Sequence, residues 1–369
     1  MRKAHTIVKV GGAQGSHGVR TSDGKSFAFS QFGCGTFEGV QTYISKRFVV
    51  DPIALMSEAE ELEKVGVVNP MSLVTVSADA LCSTVFHMAA SMLSELLLKD
   101  KPRGTIGSGV GQAVRLDQAR PELSIRAGDL QLPNLRDKLI GIQRHYQETF
   151  AEALSDLDRF NMIDLDYVAE VQLILKNEDV VNATYQMLQE FVWCKRIVSD
   201  DYLANVVLAK QGVVVSESSH GVLTDNYVGF HPHTSALRTL PRFTRAMYND
   251  AGYDGEIVSL GVHRAYNIRH GAGPLPTHSE SMSESLLPGS NKLENRWQGK
   301  VRVGPLDLVL LRYALAASGE GAYDGLAITW FDQVAQNGEW DICDSYAYTP
   351  GRSDWYETPV LESIAKYCS

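Results

Sequence analysis

Two glycine-bearing stretches in the second half of the chain constrain the fold most. In each, an apolar run of strand type leads directly into small and polar residues: Val213–Gly221 reads VVVSESSHG and Arg264–Thr277 reads RAYNIRHGAGPLPT. Open α/β sheets build ligand sites in this way, at the carboxyl ends of their strands. In the second stretch, Gly271 and Gly273 can bring bare backbone to a ligand and two prolines stiffen the turn. A rigid structural turn explains that motif alone equally well.

Two similar loops occur near the start of the chain. Thr6–Val10 is a short β-rich run that breaks into a glycine loop at Gly11–Gly18. Phe27–Gly33 alternates like a second strand and is followed by another loop of small residues, Gly33–Gly39. A third glycine loop, Thr105–Gln112, has the backbone amides and hydroxyls that can cradle a phosphate. We expect the two early loops to share one pocket.

The remaining pattern predicts an α/β fold with a mostly parallel central sheet and helical insertions. The length of 369 residues exceeds the usual range of a single core, but no internal repeat or long linker divides the chain. We therefore treat 1–369 as one large domain, with a mostly helical insertion at about 135–200. Asp51 and Pro52 predict a helix start. Four further elements are predicted: a strand at Met71–Val76, helices at Asp79–Leu98 and Pro305–Ala317, and a strand at Leu326–Asp332 that ends in a carboxylate.

Composition excludes several functional classes. The formal net charge is -10 and the basic residues are dispersed, so no electrostatic footprint for nucleic acid is present. Five cysteines form no CxxC pair, which is typical of a reduced intracellular protein. No apolar run reaches membrane-spanning length, and no signal peptide precedes the first strand. We expect a cytoplasmic protein without a membrane partner.

Four other features have weaker functional interpretations. His231 and His233 lack the third ligand that a zinc site needs. The P-loop spacing that starts at Gly18 is one residue too long. His87, beside the apolar stripe of its helix, is interpreted as a packed or capping histidine. The polar segment Ser279–Asn295 has the composition of a mobile loop that could close over a site.

Four motifs in order resemble the adenylosuccinate synthetase family, over about residues 5 to 348. They are Ile125–Leu130 (IRAGDL), Glu217–Asp225 (ESSHGVLTD), Ala265–Thr277 and Thr329–Asp332 (TWFD). Members of that family phosphorylate the 6-oxygen of a purine nucleotide with a nucleoside triphosphate, and aspartate then displaces the phosphate. The resemblance implies a carbon–nitrogen ligase with the adenylosuccinate synthetase-like fold. Its implied substrates are a purine nucleotide and aspartate, with Mg²⁺ and with ATP or GTP as phosphate donor.

The resemblance also assigns individual residues. For substrate binding it implies the 5′-phosphate loop residues Gly107, Ser108, Thr234 and Ser235, and the basic residues Arg269, Lys300 and Arg302. Either Arg120 or Arg126 matches an arginine that the family lends across a homodimer. For the donor and its metal it implies Gly15, Gly18, Gly35, Thr36, Thr329 and Asp332, with Gly35 as the metal ligand. Trp330 stands where the family has a lysine, which leaves the base of the donor open.

The chain departs from the family pattern at the catalytic positions. Ser16 replaces the aspartate that acts as general base and magnesium ligand, and the loop at Cys34 lacks the general-acid histidine. Loss of a positioned acid or base typically costs roughly 10² to 10⁴ in rate. We interpret His17 as the replacement, because histidine changes its charge near neutral pH. His220 occupies the position of an amide that faces the base. The family's phosphate-binding lysine is also missing, and Arg20 or Lys25 could supply its charge.

Ser16 also has a positive interpretation. A viral branch of the family that makes 2-aminoadenine nucleotides has serine at this position and acts on deoxyguanylate. A small hydroxyl leaves room for the 2-amino group of guanine and can accept a hydrogen bond from it. The hypothesis is therefore a ligase that acts on a guanine-type nucleotide, with Ser16, His17 and His220 as catalytic residues. Two alternatives stay open: the same fold acting on a 7-deazaguanine acceptor, and a nucleotide-binding relative without catalysis.

Overall fold

The central sheet is parallel at every strand pair in the described part of the chain. The structure, a computed structural model, describes residues 4–99, 101, 103–156, 164–286, 297–338 and 340–346. The strands are β1 Ala4–Gly12, β2 His17–Arg20, β3 Ser26–Phe29, β4 Gln41–Val50, β5 Val74–Ser77, β6 Leu81–Cys82, β7 Ile197–Val198, β8 Val213–Glu217, β9 Leu260–Arg264, β10 Asn267–Arg269, β11 Arg302–Gly304, β12 Leu306–Asp307, β13 Gly325–Thr329 and β14 Ile342–Cys343. The sheet order is β7-β5-β4-β1-β8, with β6 also paired to β4. This confirms the α/β class and its mostly parallel central sheet.

Helices cover much of the remaining chain. They are α1 Pro52–Lys64, α2 Val85–Leu96, α3 Val110–Ala119, α4 Leu135–Thr149, α5 Ala151–Ser155, α6 Leu165–Lys176, α7 Glu178–Trp193, α8 Pro241–Asp250, α9 Glu280–Leu286, α10 Leu308–Ser318 and α11 Phe331–Asn337. The segment predicted to be mostly helical, about 135–200, contains α4 to α7. In the described part of the chain, no helix is both long and apolar enough to cross a membrane.

The first predicted helix start has the expected chemistry. The Asp51 carboxylate accepts from the backbone N–H groups of Ile53 and Ala54, at 3.1 and 3.0 Å, and Pro52 occupies the first turn. Burial falls on Leu55 and Leu62, seven residues apart on one face. Capping therefore fixes where α1 begins, and the apolar face fixes how it packs.

Several predicted boundaries were wrong. Helix α10 begins at Leu308 and not at Pro305, because Leu306 and Asp307 pair with β14 as a short strand. Helix α2 begins at Val85 and not at Asp79, because Leu81 and Cys82 pair with β4 as a short strand. Strand β5 begins at Val74, after a 3₁₀ turn at Pro70–Leu73.

Two further corrections fall later in the chain. Strand β13 ends at Thr329, so Asp332 lies in the first turn of α11 and not at a strand end. Part of the polar segment predicted as a loop is helix α9; its residues 287–295 lie outside the described residues.

The described chain divides into two compact units. The first comprises 1–99, 107–220 and 246–254 and contains the central sheet; the second comprises 100–106, 221–245 and 255–369. The second unit has three two-stranded sheets, which pair β10 with β11, β12 with β14 and β9 with β13. One of its cores gathers Ala265, Tyr266, Leu286, Val303 and Val334. The extent of one domain over 1–369 stays a prediction.

Candidate active site

The register of β1 against β8 places a lysine beside a glutamate inside the first unit. Lys9 and Glu217 are register partners in this parallel pair. The Lys9 ammonium lies 3.3 Å from Glu217 Oε2, and the two side chains are 3% and 11% exposed. A buried lysine is costly unless it is paired, so Glu217 compensates Lys9.

The Glu217 carboxylate also joins two loops. Its Oε2 lies 3.3 Å from Nδ1 of His17, the first residue of β2. Its Oε1 accepts from the backbone N–H of Cys34 at 2.8 Å. Burial on its own would raise the pKa of Glu217, but the hydrogen bond with His17 and the charge of Lys9 hold that pKa below its usual value. Glu217 is therefore a carboxylate at neutral pH.

Two glycines let the loop after β8 approach the turn after β1. A Cβ added at Gly11 would lie 2.5 Å from Ser219 Oγ, and one added at Gly15 would lie 2.5 Å from Ser219 Cβ. The Ser219 hydroxyl lies 3.0 Å from His220 Nδ1, and His220 has a positive φ of 70°. The glycines thus bring the turn that carries Ser16 and His17 against the residue next to His220.

His220 is reachable from solvent, yet its imidazole is held neutral. Desolvation by surrounding protein lowers the pKa of His220 to about 4, and the charge of His17 acts in the same direction. Ser16 is exposed in the turn between β1 and β2. Of the three predicted catalytic residues, His17 and His220 are close enough to influence each other electrostatically, and Ser16 precedes His17 directly.

The predicted glycine loop at Gly11–Gly18 is shorter than expected. Strand β1 runs to Gly12 and β2 starts at His17, so Gly18 lies within the β2–β3 hairpin and not in a phosphate loop. Arg20 ends β2 and is exposed, while Lys25 lies 3.5 Å from Asp23 in the same hairpin. These two cations flank the hairpin turn. The buried cation of the first unit is Lys9.

The loop predicted to hold Mg²⁺ does not fit that ion. The Gly35 carbonyl already accepts from the N–H groups of Glu38 and Val40, at 2.9 and 3.1 Å. Thr36 is buried and its hydroxyl donates to Gly33 O. Mg²⁺ in proteins is usually held by one or two carboxylates together with substrate phosphates, and Ser16 supplies only a neutral hydroxyl. In this structure the Gly35 carbonyl is therefore engaged within the protein, and its assignment as metal ligand stays a prediction.

A different donor set exists beside this loop. The ligand atoms of His17, Cys34 and Glu217 all lie within 4.8 Å of one another. Imidazole, thiolate and carboxylate together suit a transition metal of the zinc type and not Mg²⁺. However, Lys9 occupies the same carboxylate oxygen as His17, which opposes a further cation there. Burial and the charge of Glu217 raise the pKa of Cys34 to about 12, so its sulfur is a thiol.

The third glycine loop leads into helix α3. Gly109 has a φ of 79°, and a Cβ there would lie 2.6 Å from the backbone nitrogen of Met88. The Ser108 carbonyl accepts from the Ser83 hydroxyl at 3.1 Å. Gly107 and Ser108 therefore present the predicted phosphate loop at the start of a ten-residue helix, on a backbone fixed by α2.

His87 is a capping histidine, as predicted. Its Nδ1 accepts from the Thr84 N–H at 3.1 Å at the start of α2. Burial lowers the pKa of His87 to about 3. The imidazole is neutral and structural.

Arg120 and Arg126, the two candidates for the arginine that the family lends across a homodimer, differ in how firmly their side chains are held. Arg126 donates to both carboxylate oxygens of Asp117, at 3.1 and 3.2 Å, and to the carbonyl of Asp79. Among the described residues, Arg120 pairs only with Glu122, and both side chains are at least half exposed. Exposed ion pairs contribute little, so Arg120 is the residue that can exchange partners.

In the second unit, two predicted arginines hold the glycine turn. Arg269 is buried and donates to Ala272 O at 2.9 Å and His233 O at 3.0 Å. Arg302 donates to Gly271 O and Gly273 O at 2.9 and 2.7 Å. Burial and then the charge of Arg302 lower the pKa of Arg269 to about 10. Lys300, two residues before Arg302, is exposed.

A buried carboxylate organises the segment with the other predicted phosphate ligands. Asp225 is fully buried and accepts from the N–H groups of Tyr227, Val228 and Thr239. The Ser235 N–H donates to Thr224 O at 2.8 Å. Because Arg269 contacts the carbonyl of His233, the structure brings Thr234 and Ser235 beside Arg269. The link between Arg269 and this segment is its hydrogen bond to the residue that directly precedes Thr234.

The predicted donor-base residues lie at the junction of β13 and α11. The Thr329 hydroxyl donates to His263 O at 3.2 Å, and Asp332 is exposed. Trp330 has a φ of 65°, and the Arg264 guanidinium lies 4.6 Å from its ring centroid. The ring that replaces the family's lysine is thus covered on one face by a cation.

Sequence reasoning missed Glu217 as the centre of a cluster with His17. It also missed the two other contacts of that carboxylate, the buried Lys9 and the backbone of Cys34. Lys9 lies within a run of strand type, where a single lysine is ordinarily taken to face solvent. A signal was available: Lys9 is a charged residue between Val8 and Val10, and Glu217 ends the next strand of the sheet.

Comparison with known proteins finds one family over nearly the whole length of the chain. A family model described as adenylosuccinate synthetase matches residues 1–368. The adenylosuccinate synthetase of Mycobacterium leprae is 26% identical over 364 residues, which cover 98% of this chain and 78% of that protein. That of Xylella fastidiosa is 28% identical over 324 residues, covering 86% and 68%.

Solved structures share the fold. Fully ligated adenylosuccinate synthetase from Plasmodium falciparum matches with a TM-score of 0.69 at 20% identity, covering 89% of this chain and 72% of that one. Succinoaminodeoxyadenylate synthetase of cyanophage S-2L, bound to dGMP and to dATP as an energy donor, matches with a TM-score of 0.55 at 14% identity, covering 99% and 91%.

Proposed function

Because the chain belongs to the adenylosuccinate synthetase family, and is thus a nucleoside triphosphate-dependent carbon–nitrogen ligase of purine nucleotide biosynthesis, we propose that its acceptor is a guanine-type nucleotide, dGMP. The product is then a 2-aminoadenylosuccinate-type nucleotide. The observation that carries the proposal is the exposed Ser16 hydroxyl beside the His17–Glu217 pair. A carboxylate at this position would crowd the 2-amino group of guanine, whereas a hydroxyl can accept from it. The dGMP-bound phage enzyme with the same fold supports this choice.

His17 is proposed to take the N1 proton of the base. The O6 oxygen, which then carries the negative charge, attacks the γ-phosphorus of the donor. The bond between the γ-phosphorus and the bridging oxygen breaks, and the nucleoside diphosphate leaves. The aspartate amine next attacks C6, the C6–O6 bond breaks, phosphate leaves and the surplus amine proton passes to solvent. His17 suits the first step because the Glu217 carboxylate stabilises the imidazolium that forms.

His220 is proposed to orient the base without carrying charge. The family has an amide at this position, and a neutral imidazole, like an amide, offers a donor and an acceptor. The lowered pKa of His220, about 4, keeps the ring neutral at working pH. Its Nδ1 is already engaged with Ser219, so Nε2 is the nitrogen available to substrate.

Phosphate groups are assigned by the backbone that can receive them. We place the 5′-phosphate at Gly107 and Ser108, whose amides lead into α3, where the helix dipole favours an anion. Thr234, Ser235 and Arg269 are assigned to substrate binding, and Lys300 and Arg302 to aspartate and the triphosphate. Gly15, Gly35 and Thr36 are assigned to the phosphates of the donor. Thr329 and Asp332 are assigned to its base.

Three further assignments belong to the proposal. The donor is ATP or GTP, and Mg²⁺ enters with it, because the Gly35 loop offers no site of its own. The active form is a homodimer that shares Arg120, in the cytoplasm of its cell or of a viral host.

The test is phosphate release with product identification. Purified protein is given ATP or GTP, magnesium and aspartate, with dGMP, GMP, IMP or a 7-deazaguanine nucleotide as acceptor. We expect a succino-adduct from dGMP by mass spectrometry, with phosphate released only when all substrates are present. Ser16→Asp is expected to abolish the dGMP adduct, and Ser16→Ala separates loss of the hydroxyl from gain of a carboxylate. Saturable nucleotide binding without an adduct from any acceptor would refute the proposal and favour binding without turnover; an adduct from a 7-deazaguanine acceptor alone would favour altered specificity.

A further inference from the structure

The Lys9, Glu217 and His17 side chains form a chain of three charged or polar groups inside the first unit. Both neighbours contact the same carboxylate oxygen: Lys9 Nζ and His17 Nδ1 each lie 3.3 Å from Glu217 Oε2. The lysine is fully buried and the imidazole is partly exposed. The chain therefore runs from a buried cation to a ring that substrate can reach.

We propose that Glu217, paired with Lys9, is a positioning residue that fixes His17 as the Nδ1–H tautomer. The inference rests on the proposed function, since it names what makes His17 a proton acceptor. A carboxylate can only accept, so the nitrogen that faces it carries the proton. Nε2 is then left unprotonated and able to take a proton from the base.

Each neighbour of the carboxylate has a definite part. The Cys34 N–H donates to Oε1 at 2.8 Å, which fixes the plane of the carboxylate. Lys9 lies opposite in the β1–β8 register and keeps the carboxylate ionised. This division gives a role to a lysine at the centre of an otherwise apolar strand run: its charge helps to lower the pKa of the buried Glu217 carboxylate and so favours the acceptor-only form that faces Nδ1.

The same three-residue arrangement could be mistaken for a metal site, and the test separates the two. A zinc-type ion on His17, Cys34 and Glu217 would need the thiolate of Cys34 and would displace the Lys9 ammonium. The hydrogen-bonded chain needs neither. Metal content and its dependence on Cys34 therefore distinguish the two arrangements.

The primary measurement is the tautomer of His17, read from ¹⁵N chemical shifts of histidine-labelled full-length protein. The chain has ten histidines, and the His17 signals are assigned by their loss in His17→Asn. We expect the Nδ1–H form in the wild type and a mixture of tautomers in Glu217→Gln. Because that variant leaves Lys9 unpaired and can fail to fold, Lys9→Met/Glu217→Gln removes both charges together. Lys46→Met, which breaks the Lys46–Asp200 pair at 2.7 Å in the same unit, is the matched control.

Kinetics supply the second readout. In the ligase assay, Lys9→Met/Glu217→Gln should lower kcat by about 10²-fold and change KM for the nucleotide much less, whereas Lys46→Met should leave both near wild type. An Nε2–H tautomer in the wild type, or stoichiometric zinc that is lost in Cys34→Ser, overturns the inference. An Nδ1–H tautomer that depends on Glu217, in protein that makes no adduct from any acceptor, supports the positioning role and refutes the ligase assignment instead.

Discussion

A single methyl group at Gly15 tests how the turn after β1 meets the loop after β8. The added Cβ of Gly15→Ala would lie 2.5 Å from Ser219 Cβ and 2.9 Å from Ser219 Oγ. The backbone of Gly15 is outside the left-handed region, so Gly15→Ala introduces this clash but no backbone strain. Overpacking of this kind costs about 1 to 3 kcal/mol. The free energy of unfolding in urea should fall by that amount, and kcat should fall because a displaced Ser219 releases His220.

Matched variants make the reasoning refutable. Gly18→Ala, three residues away, has nothing within 4 Å of its added Cβ and should not be destabilised. Ser219→Gly removes the clashing Cβ and should restore stability to Gly15→Ala, whereas Ser219→Ala keeps that atom and should not. A double-mutant cycle should give a coupling of at least about 1 kcal/mol between positions 15 and 219. Equal stability of Gly15→Ala and Gly18→Ala, or equal rescue by both Ser219 variants, would show that the two loops do not meet as described.

Three further outcomes are expected. Because burial lowers the pKa of His87 from 6.5 to about 3, only the unfolded chain gains a proton between these values. The contribution of His87 is therefore complete above pH 6.5, and acidification below that value should lower the free energy of unfolding by about 1.4 kcal/mol per pH unit; His87→Gln should flatten the slope between pH 7 and 5 in urea titrations. Asp225→Ala leaves three backbone donors without their acceptor and should cost about 3 kcal/mol or more, with Asp225→Asn milder since its amide oxygen still accepts, as measured by urea midpoints. Mixing inactive Arg120→Ala with inactive His17→Asn should restore about a quarter of wild-type activity if the arginine crosses a homodimer; no recovery after subunit exchange would place Arg120 outside the site.

The elements that local chemistry determines could be predicted from the sequence. Asp51 and Pro52 predicted the start of α1, because an N-cap and a proline act on backbone only a few residues away. The apolar run at Val213 predicted β8 for the same kind of reason. Boundaries were missed where a distant partner decides them: Leu81 and Cys82 have no strand signal of their own and become a strand only beside β4.

The candidate site divides along the same line. Motif order pointed to the loops that carry Ser16 and His220, because these loops come after the strand runs that became β1 and β8. Lys9 and Glu217 could not be paired from the sequence, since 208 residues separate them and only the β1–β8 register joins them. The local turn that engages the Gly35 carbonyl was likewise not predictable, because the motif does not reveal it.

The Lys9–Glu217 pair also has a consequence for the order in which the chain can fold during translation. Strand β1 is made first, but its lysine has no counter-charge until β8 has left the ribosome. At about 5 to 20 residues per second, the 208 residues between the two partners take roughly 10 to 40 s to translate. Throughout that interval, closing the sheet over β1 would bury an uncompensated ammonium. We therefore expect the central sheet to close over Lys9 only after β8 has been made, when more than half of the 369 residues have been translated.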